Sequence, residues 1–280
     1  IQDNVIKLGK AMYGCVQSPR AFFKELSKQL LKMGMTQSNV DPCVWYRVKG
    51  GDVVLVLVVH VDDVIIGGEQ KEIDQFKKEI KERFKISELG RLRKHLGIWY
   101  ERKTDEHGEF FELSMDKYAD DVVSDMEANV GSTVKEAPMP GYPGESLTKN
   151  THSEPYEKEN YRKILGKIMW FTKKVLPECA NAVRELASYM DNPGETHWRA
   201  MKRLVGYTKG NDNYLRIRKP RDLKVFGFAD SNYATNKETR KSVTGYILTL
   251  GGAIVDWSSK TQQSITLSST EAEYVALSTC

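Results

Sequence analysis

The sequence predicts an α+β protein, with a sheet towards each end of the chain and helices between them. Three observations lead there. The longest apolar run, residues 53–61, ends directly in Asp62 and Asp63, as a buried strand closed by an acidic turn would. Residues 161–174, 180–190 and 197–209 carry apolar side chains at helical spacing, with Pro177 between the first two segments. Beyond Pro220 the pattern changes to strands, two of which meet at Gly251-Gly252, a hairpin signal.

In chain order, residues 18–34 form the first helix. Ser18 caps it, Pro19 suits its first turn, Phe22, Leu26, Leu30 and Met33 follow helical spacing, and Gly34 ends it. After a turn at Asp41-Pro42, strands over 44–48 and 53–60 join through Gly50-Gly51, and the chain turns again at Asp62-Asp63 into Val64, Ile65 and Ile66. A helix over 71–85 places Ile73, Phe76, Ile80 and Phe84 on one face, so it packs across a sheet. Short strands at 96–102 and 110–113 and a helix over 116–126 follow. Residues 131–157, with Pro138, Pro140, Pro143 and Pro155, form the linker candidate. Strands at 223–229, 242–250 and 253–259 and a helix starting near Ser268 complete the chain.

Composition narrows the class. The 280 residues are long enough for two ordinary domains, and 40% apolar with 29% charged residues fits a soluble globular protein. No segment resembles a signal peptide, and the run at 53–61 is shorter than the roughly 20 residues of a membrane span, so no membrane partner is expected. Four cysteines, Cys15, Cys43, Cys179 and Cys280, lack close spacing or a histidine neighbour, which suits a reduced, intracellular protein. The net charge is +4, but Arg199, Lys202, Arg203, Lys209, Arg216, Arg218, Lys219 and Arg221 are countered locally by Asp212 alone. Such a stretch is either a solvated surface or a phosphate contact.

Adjacent carboxylates held at a hairpin tip repel each other, and a divalent cation relieves that repulsion. Oxygen ligands suit Mg²⁺ or Mn²⁺, which bridge carboxylates and substrate phosphates. A bare Asp-Asp pair is more often a polar turn, so the neighbouring sequence decides.

Lys10-Ala11-Met12-Tyr13-Gly14-Cys15-Val16-Gln17-Ser18-Pro19-Arg20 resembles the Lys-Ala-Leu-Tyr-Gly-Leu-Lys-Gln-Ser-Pro-Arg signature of copia-type LTR-retrotransposon reverse transcriptases. Val61-Asp62-Asp63 resembles their Tyr-Val-Asp-Asp motif, with His60 in place of the tyrosine. The likeness continues through Leu96-Gly97-Ile98, His197-Trp198, Thr244-Gly245-Tyr246 and Ser268-Ser269-Thr270-Glu271-Ala272-Glu273-Tyr274, and so spans nearly the whole chain.

The resemblance implies a fragment of a Pol polyprotein, reverse transcriptase followed by RNase H. Residues 1–130 would be a palm-like sheet with its primer-grip region, 131–157 a linker, 158–220 a helical, thumb-like connection, and 221–280 the start of an RNase H-like α/β domain. Asp62 and Asp63 would be catalytic metal ligands. Gly14, Gln17, Ser18, Pro19 and Arg20 would lie under the templating base and incoming nucleotide. Lys202, Arg203, Lys209, Arg216 and Arg218 would contact the template-primer. Asp230 and Glu273 would be RNase H metal ligands, with Glu271 the alternative to Glu273 and the more natural helix cap. The family's first palm aspartate is expected upstream of Ile1, and a further RNase H aspartate beyond Cys280.

The function implied is two-metal nucleotidyl transfer from deoxynucleotides to a primer on RNA or DNA, with Mg²⁺ or Mn²⁺ as cofactor. The partners implied are the other parts of Pol, in a cytoplasmic particle or the nucleus. For this chain alone the expected activity is weak or absent. The alternative is a catalytically silent nucleic-acid-binding remnant of a degenerate element.

Overall fold

A computed structural model describes residues 12, 14–141, 146–210, 212–220, 222–236 and 238–280. The chain divides into two compact units, Ile1–Leu92 and Arg93–Cys280.

In the first unit, α1 (Ser18–Lys32) precedes the strands β1 (Thr36–Gln37), β2 (Val44–Lys49), β3 (Asp52–His60) and β4 (Asp63–Gly68), and α2 (Gln70–Lys81) follows them. The strands form one antiparallel sheet in sequence order. Gly50 and Gly51 turn β2 into β3 with φ of 61° and 93°, the left-handed pair that a two-residue hairpin of this twist requires. Ser18 departs from its expected role. It is the first helical residue, Gln17 precedes it at the cap position without a side-chain cap, and the Ser18 hydroxyl donates back to the Met12 carbonyl.

Both helices cover the same side of the sheet. Leu26 and Leu30 from α1 and Phe76 and Ile80 from α2 join Trp45, Leu55, Leu57 and Val59 in a single core. Arg47, on that side of β2, is buried as well and is matched by Glu72 at 3.2 Å and Glu79 at 2.9 Å. Strand alternation sends Val58 and His60 to the other side, where both are exposed. The apolar run at 53–61 is therefore half-buried rather than enclosed, because α1 and α2 share one face of the sheet.

The second unit contains β5 (Lys94–His95), β6 (Ile98–Asp105), β7 (Gly108–Ser114), α3 (Asp116–Val130), α4 (Lys158–Val175), α5 (Ala180–Ala187), α6 (Glu195–Gly210), β8 (Tyr214–Arg218), β9 (Val225–Asn232), β10 (Val243–Leu250), β11 (Ala253–Thr261) and α7 (Ser269–Thr279). One antiparallel sheet runs β5-β6-β7-β8 and a second runs β11-β10-β9. Ile98, Leu113 and Leu215 from the first sheet meet Val122 and Met126 of α3, Ile164 and Ile168 of α4, and Met201 and Leu204 of α6 in one core. The expected strand at 96–102 begins later. Leu96 and Gly97, at φ 49° and 83°, form the two-residue turn between β5 and β6.

Residues 131–157 do not behave as a linker where they are described. Val134 and Ala137 are buried, the Ala137 N–H donates to the Gly206 carbonyl at 3.1 Å, and the Lys209 ammonium reaches the Val134 carbonyl at 3.1 Å. Proline excludes helix and sheet there, so the backbone finds its partners on α6 instead. Compaction consequently divides the chain near residue 92 rather than at this stretch. Among the described residues, no helix is long and apolar enough to cross a membrane.

Candidate metal centre and nucleic-acid contacts

The β3–β4 hairpin positions the paired aspartates. His60 faces Asp63 as the last ladder pair, so Val61 and Asp62 alone make the turn. Val61 sits at φ 56°, a conformation that a β-branched side chain enters at a cost of about 1–3 kcal/mol. Asp62 and Asp63 are both exposed. Their oxygens suit a hard divalent cation completed by water or phosphate oxygens. Among the described residues, no group of three or more His, Cys, Asp or Glu side chains could hold a metal ion.

The segment expected to lie under the nucleotide is described from residue 14, with Met12 before it; residues 10, 11 and 13 of the motif lie outside the described residues. Gly14 has φ 90° and open space where a Cβ would stand. It therefore serves a turn that an L side chain would strain. Gln17, Pro19 and Arg20 are exposed at the start of α1, and Ser18 is half-buried.

Asp230 lies on β9, paired with Gly245 of β10, and is exposed. Glu273, on α7, accepts the Ser231 hydroxyl at 2.8 Å. Glu271 instead closes the helix start: its N–H donates to the Ser268 hydroxyl at 3.1 Å, and its carboxylate accepts the Leu267 N–H at 2.6 Å. The two glutamates are thus separated by task, one on the cap and one against β9. Strand alternation turns Asp230 away from the Ser231 side, so Glu273 meets the neighbour of Asp230.

Three cations of the basic stretch meet carboxylates distant in sequence. Lys209 pairs with Glu127 at 3.0 Å. Asp105 receives Arg218 in a two-pronged contact and Arg216 at 3.7 Å, and the Arg218 guanidinium holds its carboxyl down at about 2. Both guanidinium groups also cover the Phe110 ring, at 4.3 and 4.8 Å from its centroid. Lys202 donates to the Ser132 hydroxyl at 3.2 Å. Arg203 is half-buried and lines a small hollow with Pro140, Leu147 and Glu185. Asp105 and Glu127, distant in sequence, thus meet Arg216, Arg218 and Lys209.

Sequence comparison identifies the relatives of this chain. The family described as reverse transcriptase (RNA-dependent DNA polymerase) matches residues 1–140, half of the chain. The chain belongs to the reverse transcriptase family. It is 29% identical, over 97% of its length, to the retrovirus-related Pol polyprotein from transposon TNT 1-94 of Nicotiana tabacum. It is 32% identical, over 97% of its length, to that from transposon RE2 of Arabidopsis thaliana. These matches occupy 21% and 18% of the two polyproteins, so the chain spans about a fifth of them. A mitochondrial protein of Arabidopsis thaliana is 30% identical over 80% of this chain and 90% of its own length. No solved structure matches. The copia-type resemblance therefore stands on relatives as well as on motifs.

For this family member, the fold also exposes surfaces that the motifs did not single out. On α4, Trp170 is 44% exposed and the Lys174 ammonium lies 4.6 Å from its ring centroid. One turn earlier, Gly166 has nothing within 4 Å of a would-be Cβ. On the β5–β6 ladder, Lys94 sits 4.9 Å over the half-exposed Trp99. An aromatic face with an adjacent cation is what base or sugar stacking beside a phosphate uses. The available signal was a tryptophan, Trp170, out of step with the Tyr161, Ile164, Ile168, Phe171 core stripe.

Proposed function

We propose that this chain is part of a copia-type retrotransposon Pol protein and acts in RNA-directed DNA synthesis, with the β3–β4 hairpin as its palm element. The observation that carries the reading is the strained, two-residue turn that presents Asp62 and Asp63 on paired strands. A rigid pair of exposed carboxylates is what nucleotidyl transfer needs where charge accumulates on phosphate. Asp62 and Asp63 would hold Mg²⁺ or Mn²⁺, which would supply Lewis-acid activation of the primer hydroxyl. The exposed Gly14, Gln17, Pro19 and Arg20 would border the incoming nucleotide.

The substrates on this reading are deoxynucleoside triphosphates and an RNA or DNA template-primer, and the partners are other parts of Pol. Trp170 with Lys174, and Trp99 with Lys94, are better template-primer contacts than Lys209, Arg216 and Arg218, whose charges are already met. The three-strand meander β9–β10–β11 followed by α7 supports an RNase H-like second half, although Asp230 and Glu273, its candidate carboxylates, lie on opposite faces of β9.

Primer extension on a homopolymer RNA template with Mn²⁺ or Mg²⁺ tests the reading. Weak incorporation by the wild type that disappears in Asp62→Asn and Asp63→Asn is the expected result. Incorporation equal to that of the two variants defeats it.

A further inference from the structure

We infer that His197 is a pH-operated latch, which in its neutral form pins residues 147–156 across α5 and α6 as a strap and on protonation lets that strap go. The strap forms no helix or strand, so groups outside it must satisfy its backbone. Most of those groups are side chains at the α5–α6 corner. The Leu147 N–H donates to the Glu185 carboxylate at 2.7 Å, and the Leu147 carbonyl accepts the Tyr189 hydroxyl at 2.6 Å. Further along, the His152 carbonyl accepts the Asn192 side-chain amide at 3.3 Å, and the Tyr156 carbonyl accepts the Trp198 indole N–H at 3.0 Å.

One peptide unit joins the strap to the latch. The Pro193 carbonyl accepts both the Tyr156 N–H at 2.8 Å and the Asn150 side-chain amide at 3.2 Å. The N–H of that same unit belongs to Gly194 and donates to Nδ1 of His197 at 2.8 Å. A peptide unit is planar and rigid, so turning its N–H away from the ring also turns the carbonyl that holds the strap. The strap lies close at this point, because a Cβ on Gly194 would stand 3.0 Å from the Asn150 side chain.

This arrangement requires a neutral ring. With Nδ1 accepting, the ring proton sits on Nε2, beside the Thr148 backbone of the strap. A second proton must go to Nδ1, where it meets the Gly194 N–H head-on. The ring is wholly buried and stacked on Tyr189, so the Gly194 peptide unit is the part that yields. The groups around the ring act in the same sense. Glu185 of α5 attracts a cationic ring, and drawing that carboxylate over takes it from the Leu147 N–H. Tyr189, after α5, and Tyr161 of α4, against Trp198, are both kept neutral by burial. On α6 itself, Glu195 and Arg199 are exposed. The strap's own Lys149 pairs with Glu238 of the β9–β10 loop at 2.6 Å, so the strap also ties the helices to that loop. One proton thus loosens two holds, at Gly194 and at Leu147. Burial keeps the ring neutral to below its ordinary 6.5, which leaves the strap closed at neutral pH and opens it in acid.

Hydrogen–deuterium exchange of the full chain between pH 7.5 and pH 4.5, corrected for the intrinsic rate at each pH, tests this. The Leu147 and Tyr156 amides, resolved from overlapping peptides, are expected to exchange about tenfold faster or more at the acid end, while α3 and α4 keep their protection. His197→Asn keeps an acceptor near the place of Nδ1 and cannot be protonated, so both amides should stay protected throughout. Glu185→Gln keeps an acceptor for Leu147 but removes the attraction for a cationic ring, so release should move to lower pH. Equal protection of the two amides at both ends of the range overturns the inference. So does acid release in a folded His197→Asn variant, release in Glu185→Gln at the wild-type pH or above it, or a loss of protection that spreads evenly over α3 and α4.

Discussion

Nδ1 of His197 accepts the backbone N–H of Gly194 at 2.8 Å, which ties the first turn of α6 to a ring that is wholly buried and stacked on Tyr189 at 4.4 Å. A nitrogen that accepts a hydrogen bond cannot also carry a proton. Burial holds the His197 pKa below its usual 6.5, against the opposing pull of the Thr148 backbone and the Glu185 carboxylate. Because the folded value is depressed, the ring contributes its full stability above pH 6.5 and loses it as pH falls through the lower, folded value. Urea denaturation at pH 7.5 and at pH 5 should show a lower midpoint in acid. In His197→Phe the midpoint should be lower at pH 7.5, and the acid loss should shrink; an unchanged pH difference would clear His197 of this role.

Two mid-helix glycines should respond to alanine in opposite directions. Gly166 on α4 has open space around it, whereas a Cβ on Gly206 of α6 would stand 2.2 Å from the Lys135 carbonyl oxygen. Gly166→Ala is expected to stabilise by about 1 kcal/mol through helix propensity alone. Gly206→Ala gains the same propensity but must push the 131–141 segment off α6, an overpacking cost of about 1–3 kcal/mol. Chemical denaturation reads both, and limited proteolysis should reach 131–141 faster in the second variant. Equal stabilisation of both would mean that the segment is loosely held.

The same pair shows what the sequence could and could not disclose. Local rules were sufficient for Gly50-Gly51, for the Ile73, Phe76, Ile80 face and for the β10–β11 hairpin, because turn chemistry and periodicity act over a few residues. They also drew attention to Asp62 and Asp63. They did not reveal that Val134 and Ala137 are buried, since a proline-rich stretch carries no period by which to judge its packing. β8 falls outside the sequence expectation although Tyr214-Leu215-Arg216-Ile217-Arg218 alternates, because its arginines also form part of a charge run. Their partner, Asp105, is a contact that only tertiary pairing brings near.

Val61 tests whether the hairpin tip is built for geometry rather than stability. Val61→Gly should relieve about 1–3 kcal/mol of backbone strain and lose about 0.5–1 kcal/mol to glycine's greater unfolded freedom. The net effect on folding is therefore neutral to stabilising. A freer turn should also let Asp62 wander, so primer extension should fall while the denaturation midpoint holds or rises. A variant less stable than wild type would show that the left-handed conformation carries no strain.

Asp105 decides whether Arg216 and Arg218 meet nucleic acid. With that carboxylate ionised down to about pH 2, the two guanidinium groups are engaged throughout the neutral and mildly acidic range. Arg216→Ala should then leave both the affinity for a template-primer duplex and the slope of that affinity against salt close to wild type, since no phosphate contact is lost. Asp105→Asn should act the other way, freeing two cations that already lie over Phe110 and steepening the salt dependence by about one to two counterions. Fluorescence anisotropy over a salt series measures both. A shallower slope in Arg216→Ala would return this arginine to the nucleic-acid surface, with Asp105 as a partner it leaves on binding.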